Sequence, residues 1–584
     1  MLWLFPIVLL IACVRADASA NLKAGKVQGT SCRESQVNSF LGIPYAEPPI
    51  RTLRFAPPVA YNSSYPGGTL NATANKPICV QFGGATQPGY LSSPSSEDCL
   101  YLNVFVPASA TTDSNLPVKV FIYGGAFVNG GTADPLYSGC DLASDAIVVT
   151  IGYRNGPLGF LALEGTAIAG NQAVKDCLMG AQWVQDNIAA FGGDPKQVLV
   201  FGESSGAAIT WIISTMPSAP SLMNAAIAES GAGLGTQDNI SYFAQGQEYA
   251  QALGCNTTDI SCFQSKSVQE LNSAQPVIPV LTLTSIGWRP FVDGQFIPDQ
   301  PQTVPVKVPF LAGSNADEGT FFALGAYDSP TNVTEADYTS FISQSTGSYA
   351  QQVMQAYPLN SYNATSVVSP IPGYAPFYAL ANIITDAVNL CGTRRVLDIT
   401  TQAQISTFAY FDAHTPKCTW EVTIPASDLK LLGAAHASEL QYVWNQTVDL
   451  PPPNGNCSQT SQEREISQVL ASAWTAMAKN AKPGDVNGTA WPLYSMNNTQ
   501  GLLISNSTSV GSINYTICDE LWDPYELARL QNATSATSNT ATSSGGSSAG
   551  APTSTSKSSG GAWIVQPWSM VMYIVALIIG VLSL

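Results

Sequence analysis

Ser204 is the residue of this chain whose surroundings best suit a catalytic nucleophile. It lies in a Gly-x-Ser-x-Gly pattern between Gly202 and Gly206, after the apolar run 198–201 and before a helix-like stretch that ends at Pro217. A strand, a tight turn and a helix in this order form a nucleophile elbow, which exposes a serine hydroxyl. Side chains at the two glycine positions would crowd that turn. The pattern predicts a serine that attacks esters and forms an acyl-enzyme.

A second Gly-x-Ser-x-Gly pattern surrounds Ser547. It lies in a tract of Ser, Gly and Thr, with no apolar strand before it and no apolar helix after it. A bare match of this kind is more often a turn of small residues than a nucleophile. The strand and the helix around Ser204 are therefore the reason to choose it.

Two histidines, His414 and His436, are the candidates for the base that activates the serine. A hydroxyl needs a base to take its proton, and histidine suits that role because its ordinary pKa lies near neutrality. His414 follows the apolar run 408–413 and is explained equally well as the end of a strand. His436 lies in the small-residue stretch 431–440, between predicted elements, and this loop position favours it.

Two adjacent acids, Asp317 and Glu318, follow the strand-like run 308–313. A carboxylate should orient the imidazole and stabilise its cation, and both acids have suitable chemistry. Either one could equally be a solvated loop residue, so the residues alone leave both alternatives open. The order of serine, acid and His436 along the chain is the order that an α/β-hydrolase topology requires.

The segment after another apolar run supplies candidate donors for the oxyanion of a tetrahedral intermediate. Gly124, Gly125 and Ala126 directly follow the run 118–123, so their amides can point into a cleft. The other expected donor is the amide of Ser205, directly after the nucleophile. Two glycines at a strand end are also compatible with a plain tight turn, so this assignment depends on the other candidates.

The order of short apolar runs and helical patterns predicts the scaffold. The runs 118–123, 146–151 and 198–201 are typical of buried strands, and a helical apolar face over 174–188 closes at two glycines, 192–193. This alternation predicts an α/β protein with a large, mostly parallel central sheet and helices on both faces. Such sheets carry their sites at the carboxyl ends of strands, where Ser204 lies.

The two ends of the chain predict targeting segments around one domain over residues 21–531. Residues 1–20 are typical of a secretory signal, with an apolar run and then small residues that allow cleavage after Ala18 or Ala20. Residues 532–558 are rich in Ser, Thr, Ala and Gly and predict a flexible stalk. Residues 559–584 predict a GPI-attachment signal, with a transmembrane tail as the alternative.

Composition suits a soluble extracellular protein and argues against some other classes. The net charge of −17 argues against nucleic-acid binding. With two histidines in the chain, no Cys-x-x-Cys and no His-Glu-x-x-His, we expect no metal and no cofactor. The expected partners are a small-molecule ester and, through the C-terminal anchor alone, a membrane; no oligomeric state is predicted.

Sequons and cysteines both indicate passage through the secretory pathway. Removal of the signal leaves eleven of the twelve cysteines, so at least one thiol is free or pairs between chains. Local spacing predicts the disulfides Cys79–Cys99 and Cys255–Cys262. The Asn-x-Ser/Thr sequons begin at Asn62, Asn71, Asn239, Asn256, Asn332, Asn363, Asn445, Asn456, Asn487, Asn497, Asn506, Asn514 and Asn532.

From about Gly29 to Tyr525 the chain resembles the type-B carboxylesterases, which include cholinesterases, fungal lipases and non-catalytic neuroligins. The motifs that carry the resemblance are FLGIPYA at 40–46, SEDCLYLN at 96–103, YRNGPLGF at 153–160 and FGGDP at 191–195. The resemblance implies the α/β-hydrolase fold with insertions around the active-site cleft. It implies Ser204, Glu318 and His436 as the catalytic triad, and so favours Glu318 over Asp317.

The resemblance also implies roles for residues around that triad. The amides of Gly125, Ala126 and Ser205 would form the oxyanion hole. Glu203 and Ser230 would be polar residues near the triad. A third disulfide, Cys391–Cys518, is implied in the same way.

Departures from the family pattern bear on the substrate. Cholinesterases carry a tryptophan that binds the quaternary ammonium where this chain has Gly89, so choline esters are not expected. Ala126 stands where the family often has glycine, and its methyl should narrow the cleft against bulky alcohols. The loop 80–98 is too short and polar for a lipase lid. The alternative function is a neuroligin-like adhesion or binding module, although such members typically lose triad residues.

Overall fold

Six consecutive parallel pairings form the centre of one large sheet, which carries the candidate site. The computed structural model describes residues 18–32, 35–83, 94–237, 239–276, 281, 283, 287–327, 329–362, 373–452 and 454–530. The predicted signal up to residue 17, the stalk, the C-terminal signal, Ser547 and Gly89 lie outside these residues. No helix within the described ranges has the length and apolar character needed to cross a membrane.

The strands follow the chain in a regular succession, and most belong to the large sheet. They are β1 (Ser19–Leu22), β2 (Gly25–Gln28), β3 (Thr30–Ser31), β4 (Val37–Pro44), β5 (Thr69–Asn71), β6 (Ile78–Cys79), β7 (Ser95–Ser96), β8 (Tyr101–Pro107), β9 (Leu116–Ile122), β10 (Ile147–Ile151), β11 (Gly193–Glu203), β12 (Ala225–Glu229), β13 (Phe310–Asn315), β14 (Thr407–Asp412), β15 (Asp485–Val486), β16 (Thr489–Ala490), β17 (Gln500–Ile504) and β18 (Thr508–Ser512).

The helices lie mostly in the connections between strands. They are α1 (Gly156–Phe160), α2 (Gln172–Asn187), α3 (Ser205–Thr215), α4 (Ala219–Leu222), α5 (Asn239–Ala252), α6 (Ile260–Ser265), α7 (Val268–Ser273), α8 (Glu318–Tyr327), α9 (Glu335–Thr346), α10 (Ala350–Ala356), α11 (Ala375–Ile384), α12 (Cys391–Gln402), α13 (Leu429–Leu432), α14 (Leu440–Val443) and α15 (Ser461–Asn480).

The large sheet has eleven described strands in the order β18-β17-β14-β13-β12-β11-β9-β10-β8-β4-β3. All pairings from β10 to β17 in this order are parallel, and those at the two ends are antiparallel. Every residue of β11 from Val198 to Glu203 is buried, so both faces of the sheet are covered there. The predicted α/β class with a mostly parallel sheet is confirmed, and the runs predicted as strands correspond to β9, β10 and β11.

Five disulfides lie within the described residues, two between cysteines close in sequence and three between more distant segments. They are Cys32–Cys140, Cys79–Cys99, Cys255–Cys262, Cys391–Cys518 and Cys418–Cys457. The structure thus contains the two pairs expected from spacing and the one implied by resemblance. The other two pairs could not be deduced, because their partners approach only in the folded chain. The odd cysteine is Cys177, a buried free thiol on α2.

A lysine is fully buried in the strand that leads to the candidate oxyanion donors. The ammonium of Lys119 on β9 donates to the carbonyl oxygen of Leu142 at 3.2 Å and to Thr475 Oγ1 on α15 at 2.9 Å. Burial lowers the pKa of Lys119 to about 8, and the carboxylate of Asp145, 3.9 Å away, opposes that effect. Lys119 therefore connects the sheet to α15 at the cost of desolvating a charge.

Replacing this lysine should change how stability depends on pH. Because the pKa of Lys119 is below its ordinary value, the unfolded chain binds its proton more readily, and this site adds stability as pH rises from about 8 to 10.5. Lys119→Met lacks that dependence. Between pH 7 and pH 10 the stability of the wild type should therefore improve relative to the variant by on the order of 2 to 3 kcal/mol.

Urea unfolding of the two proteins at both pH values measures this difference. Lys26→Met, which removes an exposed lysine of β2, is the control and should show no comparable change. An equal pH dependence for wild type and Lys119→Met would contradict the prediction.

Candidate active site

Ser204 lies at a sharp turn between β11 and α3. Its φ of 55° and ψ of −125° are strained for a residue with a side chain, at a typical cost of about 1–3 kcal/mol. The turn is held because its amide donates to the carbonyl of Glu229 at 2.9 Å, and its own carbonyl accepts from the amide of Ala208 at 3.0 Å. The hydroxyl is the partly exposed end of an otherwise buried segment.

Gly206 allows this turn to approach the neighbouring strand. A Cβ at position 206 would lie 2.0 Å from the carbonyl oxygen of Ile122 and 2.4 Å from that of Tyr123. No side chain fits at those distances, so the second glycine of the motif is a steric requirement of the contact between α3 and the end of β9.

The imidazole of His436 lies between the serine and a carboxylate. Its Nε2 is 2.8 Å from Ser204 Oγ, and its Nδ1 is 2.5 Å from Glu318 Oε2. With the proton on Nδ1, the ring donates to Glu318 and accepts from the serine hydroxyl. Glu318 begins α8, is fully buried, and accepts a second hydrogen bond from the amide of Asn315 at 2.8 Å.

The loop that carries His436 is tied to β13 and α8 by polar contacts. Asp317 exchanges two bonds with Ala434, since its amide donates to the Ala434 carbonyl and its Oδ2 accepts from the Ala434 amide, both at 2.9 Å. Asn315 Nδ2 donates to the carbonyl of Ala435 at 2.8 Å. Thr320 Oγ1 donates to the carbonyl of Leu432 at 2.7 Å.

These contacts separate the alternatives that the sequence left open. Asp317 is buried against the loop backbone, whereas Glu318 contacts the imidazole. His414 is 3.3 Å from Glu463 on α15, and its amide donates to Asp412, so its ring contacts a different carboxylate from the one beside His436. The geometry thus groups Ser204 and Glu318 with the other histidine, His436.

The segment after β9 presents the candidate oxyanion donors. Gly125 has φ +121°, and a Cβ there would lie 2.3 Å from the carbonyl oxygen of Asn129. Ala126 has φ 54°, an uncommon value for alanine. Within the described part of the chain, the amides of Gly125, Ala126 and Ser205 have no hydrogen-bond acceptor, so they are available to a ligand oxygen.

Two glutamates end neighbouring strands beside the site. Glu203 of β11 and Glu229 of β12 are in register, and both are buried. Glu203 Oε1 is 3.2 Å from His436 Nε2, and burial raises the pKa of Glu203 to about 7 against the opposing effect of His436. Glu229 accepts from Trp474 Nε1 at 2.7 Å, and burial raises its pKa well above the ordinary value.

A third glutamate, Glu439, lies three residues after His436. It accepts from Asn315 Nδ2 at 2.5 Å and from Ser230 Oγ at 3.5 Å, and burial raises its pKa to about 8. Ser230 itself follows β12 with φ 54°. The residues expected near the triad, Glu203 and Ser230, therefore belong to one buried polar cluster that extends beneath the imidazole.

The charge state of His436 depends on this cluster. Burial alone would lower the pKa of His436, but the carboxylates of Glu203 and Glu318 outweigh it and raise the pKa to about 9. The imidazolium is thus stabilised in the interior, which is the property required of a base that must hold a proton during a reaction.

Sequence reasoning missed three contributors to the site. Glu229 directly precedes Ser230 in sequence, and Glu439 lies three residues after His436. The signal that could have identified both is an acid inside an apolar or small-residue run. The ring of Phe322 on α8 packs 4.8 Å from the imidazole, centroid to centroid. Its position four residues after Glu318, one helical turn, places it on the same side of α8.

Comparisons with known proteins match most of the chain. The carboxylesterase family matches residues 16–521. A cholinesterase of Mus musculus is 32% identical over 531 residues, covering 84% of each chain. A para-nitrobenzyl esterase of Bacillus subtilis (strain 168) is 30% identical over 502 residues, covering 83% of this chain and 94% of its own. An acetylcholinesterase of Bungarus fasciatus is 29% identical over 578 residues, covering 91% of each.

Removal of the Glu203 charge should shift the pH dependence of activity. Ester hydrolysis requires neutral His436, so kcat/KM rises with pH through the pKa of that histidine. Because the Glu203 carboxylate raises that pKa, Glu203→Gln should move the rising limb to lower pH by roughly one unit.

The measurement is kcat/KM for a p-nitrophenyl ester from pH 5 to pH 10. Glu465→Gln, at an exposed position of α15, is the matched control and should leave the limb unchanged. A limb that stays in place, or moves to higher pH, would show that Glu203 does not set the pKa of His436.

Proposed function

Because the chain belongs to the carboxylesterase family and is a carboxylic ester hydrolase, we propose that Ser204, His436 and Glu318 are its catalytic triad. The observation that carries the proposal is the continuous hydrogen-bonded path from the serine hydroxyl through the imidazole to the buried carboxylate, at 2.8 and 2.5 Å. These are the contacts that a nucleophile, its base and the group that orients the base must make.

In acylation, Ser204 Oγ attacks the carbonyl carbon of the ester while its proton moves to His436 Nε2. The positive charge on the ring is stabilised by Glu318, which also fixes the tautomer. The carbonyl oxygen becomes an oxyanion and accepts from the amides of Gly125, Ala126 and Ser205. The intermediate collapses, the alcohol leaves with the proton from Nε2, and the acyl group stays on Ser204.

In deacylation, water takes the place of the alcohol. His436 removes a proton from the water, which attacks the acyl carbon, and the same amides stabilise the second oxyanion. The acid is released when Ser204 Oγ recovers its proton from the imidazolium. Glu203 and Glu439 support both steps, since the carboxyl groups near His436 favour its charged form.

We further propose that the enzyme is secreted and held at the cell surface by a GPI anchor. The leader-like residues 1–20 and the apolar end 559–584 support this, as do the disulfides. Since β1 begins at Ser19, signal cleavage after Ala18 leaves that strand whole, whereas cleavage after Ala20 would remove half of it. We therefore favour Ala18 as the last residue of the signal.

For the substrate, we propose an uncharged ester of modest size. Two relatives are named for esters of different alcohols, cholinesterase and para-nitrobenzyl esterase, so membership of the family leaves the alcohol open. Gly89 stands at the position of the choline-binding tryptophan, so this chain lacks that cation–π partner. Phe322 and the neighbouring Phe321 make the α8 side of the site apolar, which suits an aliphatic or aromatic acyl group.

Loss of the nucleophile should abolish activity. Ser204→Ala removes the group that forms the acyl-enzyme, so kcat/KM for p-nitrophenyl acetate should fall by roughly 10⁴-fold or more. Ser547→Ala, in the second Gly-x-Ser-x-Gly pattern, is the control and should retain full activity. Peptide mapping after a fluorophosphonate probe should place the adduct on Ser204. An active Ser204→Ala protein would refute the triad, and a folded wild type without adduct would favour a non-catalytic adhesion module.

Ala126 should restrict the alcohol part of the ester. Its φ of 54° is strained, and its methyl lies in the segment that supplies two oxyanion donors. Ala126→Gly removes the methyl and relieves the strain, so the kcat/KM ratio of tert-butyl acetate to ethyl acetate should increase several-fold. Ala133→Gly, at a buried alanine later in the same loop, is the control for added flexibility. An unchanged ratio in Ala126→Gly would show that the methyl does not limit the alcohol.

A further inference from the structure

The two edges of the large sheet are protected to very different degrees. One edge is β3, which has two residues and is followed by Cys32, whose disulfide to Cys140 fixes it. The other edge is β18, Thr508–Ser512, whose described pairing is to β17 alone. A strand of five residues with one open side can pair with a strand of another chain.

The backbone of β18 shows which groups face outwards. The carbonyl of Thr508 accepts from Asn487 Nδ2 at 2.9 Å, so it points away from β17. In an antiparallel pair, alternate residues direct both backbone groups to the same side. The N–H and C=O groups of Val510 therefore also face the open side. Asn487 covers one end of the edge but not its centre.

Four sequons that the ester chemistry does not use surround this edge. Asn506 lies in the turn from β17 to β18, and Asn487 lies at the tip of the β15–β16 hairpin against Thr508. Asn514 follows the other end of β18. Asn497 precedes β17, whose first residue pairs with Ser512, so it lies at that same end. Each end of the open strand thus has two acceptor sequences for N-linked sugar.

The four asparagines differ in whether their side-chain nitrogen is available for glycosylation. Asn506, Asn514 and Asn497 are exposed. The Oδ1 of Asn514 accepts from the Thr516 amide at 3.0 Å, which leaves its Nδ2 directed away from that turn. The Nδ2 of Asn487 is already bonded to Thr508. Asn497 precedes β17, whereas Asn506 and Asn514 each lie two residues from β18 along the chain and are therefore the best placed acceptors at its two ends.

We propose that N-linked glycans on Asn506 and Asn514 cover the open edge of the sheet and prevent edge-to-edge association of the protein. The step is a transfer from a lipid-pyrophosphate-linked oligosaccharide: the amide nitrogen bonds to the anomeric carbon, its proton is lost and the lipid pyrophosphate leaves. The inference rests on the proposed passage through the secretory pathway, but not on the triad.

Geometry explains why two glycans suffice. A pairing strand must lie about 4.8 Å from β18 along its whole length. Bulky hydrophilic groups at both ends of a five-residue strand obstruct that approach from either direction. Proteins otherwise block such edges with charged side chains, and β18 with its flanking turn residues 505–507 contains none.

The test uses the full-length chain produced in a glycosylating eukaryotic host. Asn506→Gln and Thr516→Ala together remove both sequons, and the second change keeps the Asn514 side chain and its turn. The matched control is Asn62→Gln with Thr258→Ala. Asn62 is also exposed, and Asn256 makes the same Oδ1 contact to the amide two residues ahead, Thr258, at 3.0 Å.

Peptide mapping after enzymatic deglycosylation should find sugar on Asn506 and Asn514 of the wild type. By light scattering, the double variant should form larger assemblies than the wild type and the matched control at equal concentration. Activity per fluorophosphonate-labelled site should remain unchanged, because the edge is separate from Ser204. Adding Ser509→Lys, an exposed position of β18, should restore the wild-type size distribution, since a charge on the edge opposes strand pairing.

Sugar on Asn62 and Asn256 but not on Asn506 and Asn514 would overturn the proposal and leave secretion intact. Sugar on none of them would overturn both. A double variant that stays dispersed like the control, or whose assemblies persist with Ser509→Lys, would also overturn it. Loss of activity per labelled site with an unchanged size distribution would count against it as well, because it would indicate damage to the fold and not an open edge.

Discussion

The parallel pairing of β9, β11, β12 and β13 is the constraint on which the rest of the site depends. Four neighbouring strands that run in one direction must end at one edge of the sheet, and the residues after those ends are close in space whatever their separation along the chain. Ala126, Ser204, Ser230 and Glu318 each follow one of these strands. His436 lies farther along the connection that follows β14, between α13 and α14, and this loop is bound to the end of β13 and the start of α8 by Asn315, Asp317 and Thr320.

Local signals in the sequence therefore predicted much of the fold and most of the candidate site. Strands β9, β10 and β11 follow from apolar runs because buried parallel strands need apolar residues on both faces. The strand, turn and helix pattern predicted Ser204. The glycines around it are needed because the turn lies too close to the end of β9 for side chains. Asp317 and Glu318 could not be separated in this way, since adjacent acids have the same chemistry and only the start of α8 decides which one turns towards the imidazole.

What the sequence could not predict depends on contacts between distant segments. Glu439 joins the site through Asn315, more than a hundred residues away, and Glu229 through Trp474 on α15. Cys32–Cys140 and Cys418–Cys457 form for the same reason, because the chain brings their partners together only when the sheet is complete. Lys119 lies in a run that predicts a strand, but its burial could not be predicted. Its ammonium donates to Thr475, which is more than three hundred residues away in sequence.

The cost of building the site is concentrated at the strand ends. Ala126, Ser204 and Ser230 all have φ near 54°, and Ala437, directly after His436, has φ 65°. Non-glycine residues in this region typically cost about 1–3 kcal/mol each, and several buried carboxyl groups add desolvation. Such a site is stable only on a large core, since the burial of apolar strands and helices must offset these terms. The same turns bring the serine hydroxyl and the imidazole into contact and carry the candidate oxyanion donors, so the strain and the proposed catalysis have a common structural origin.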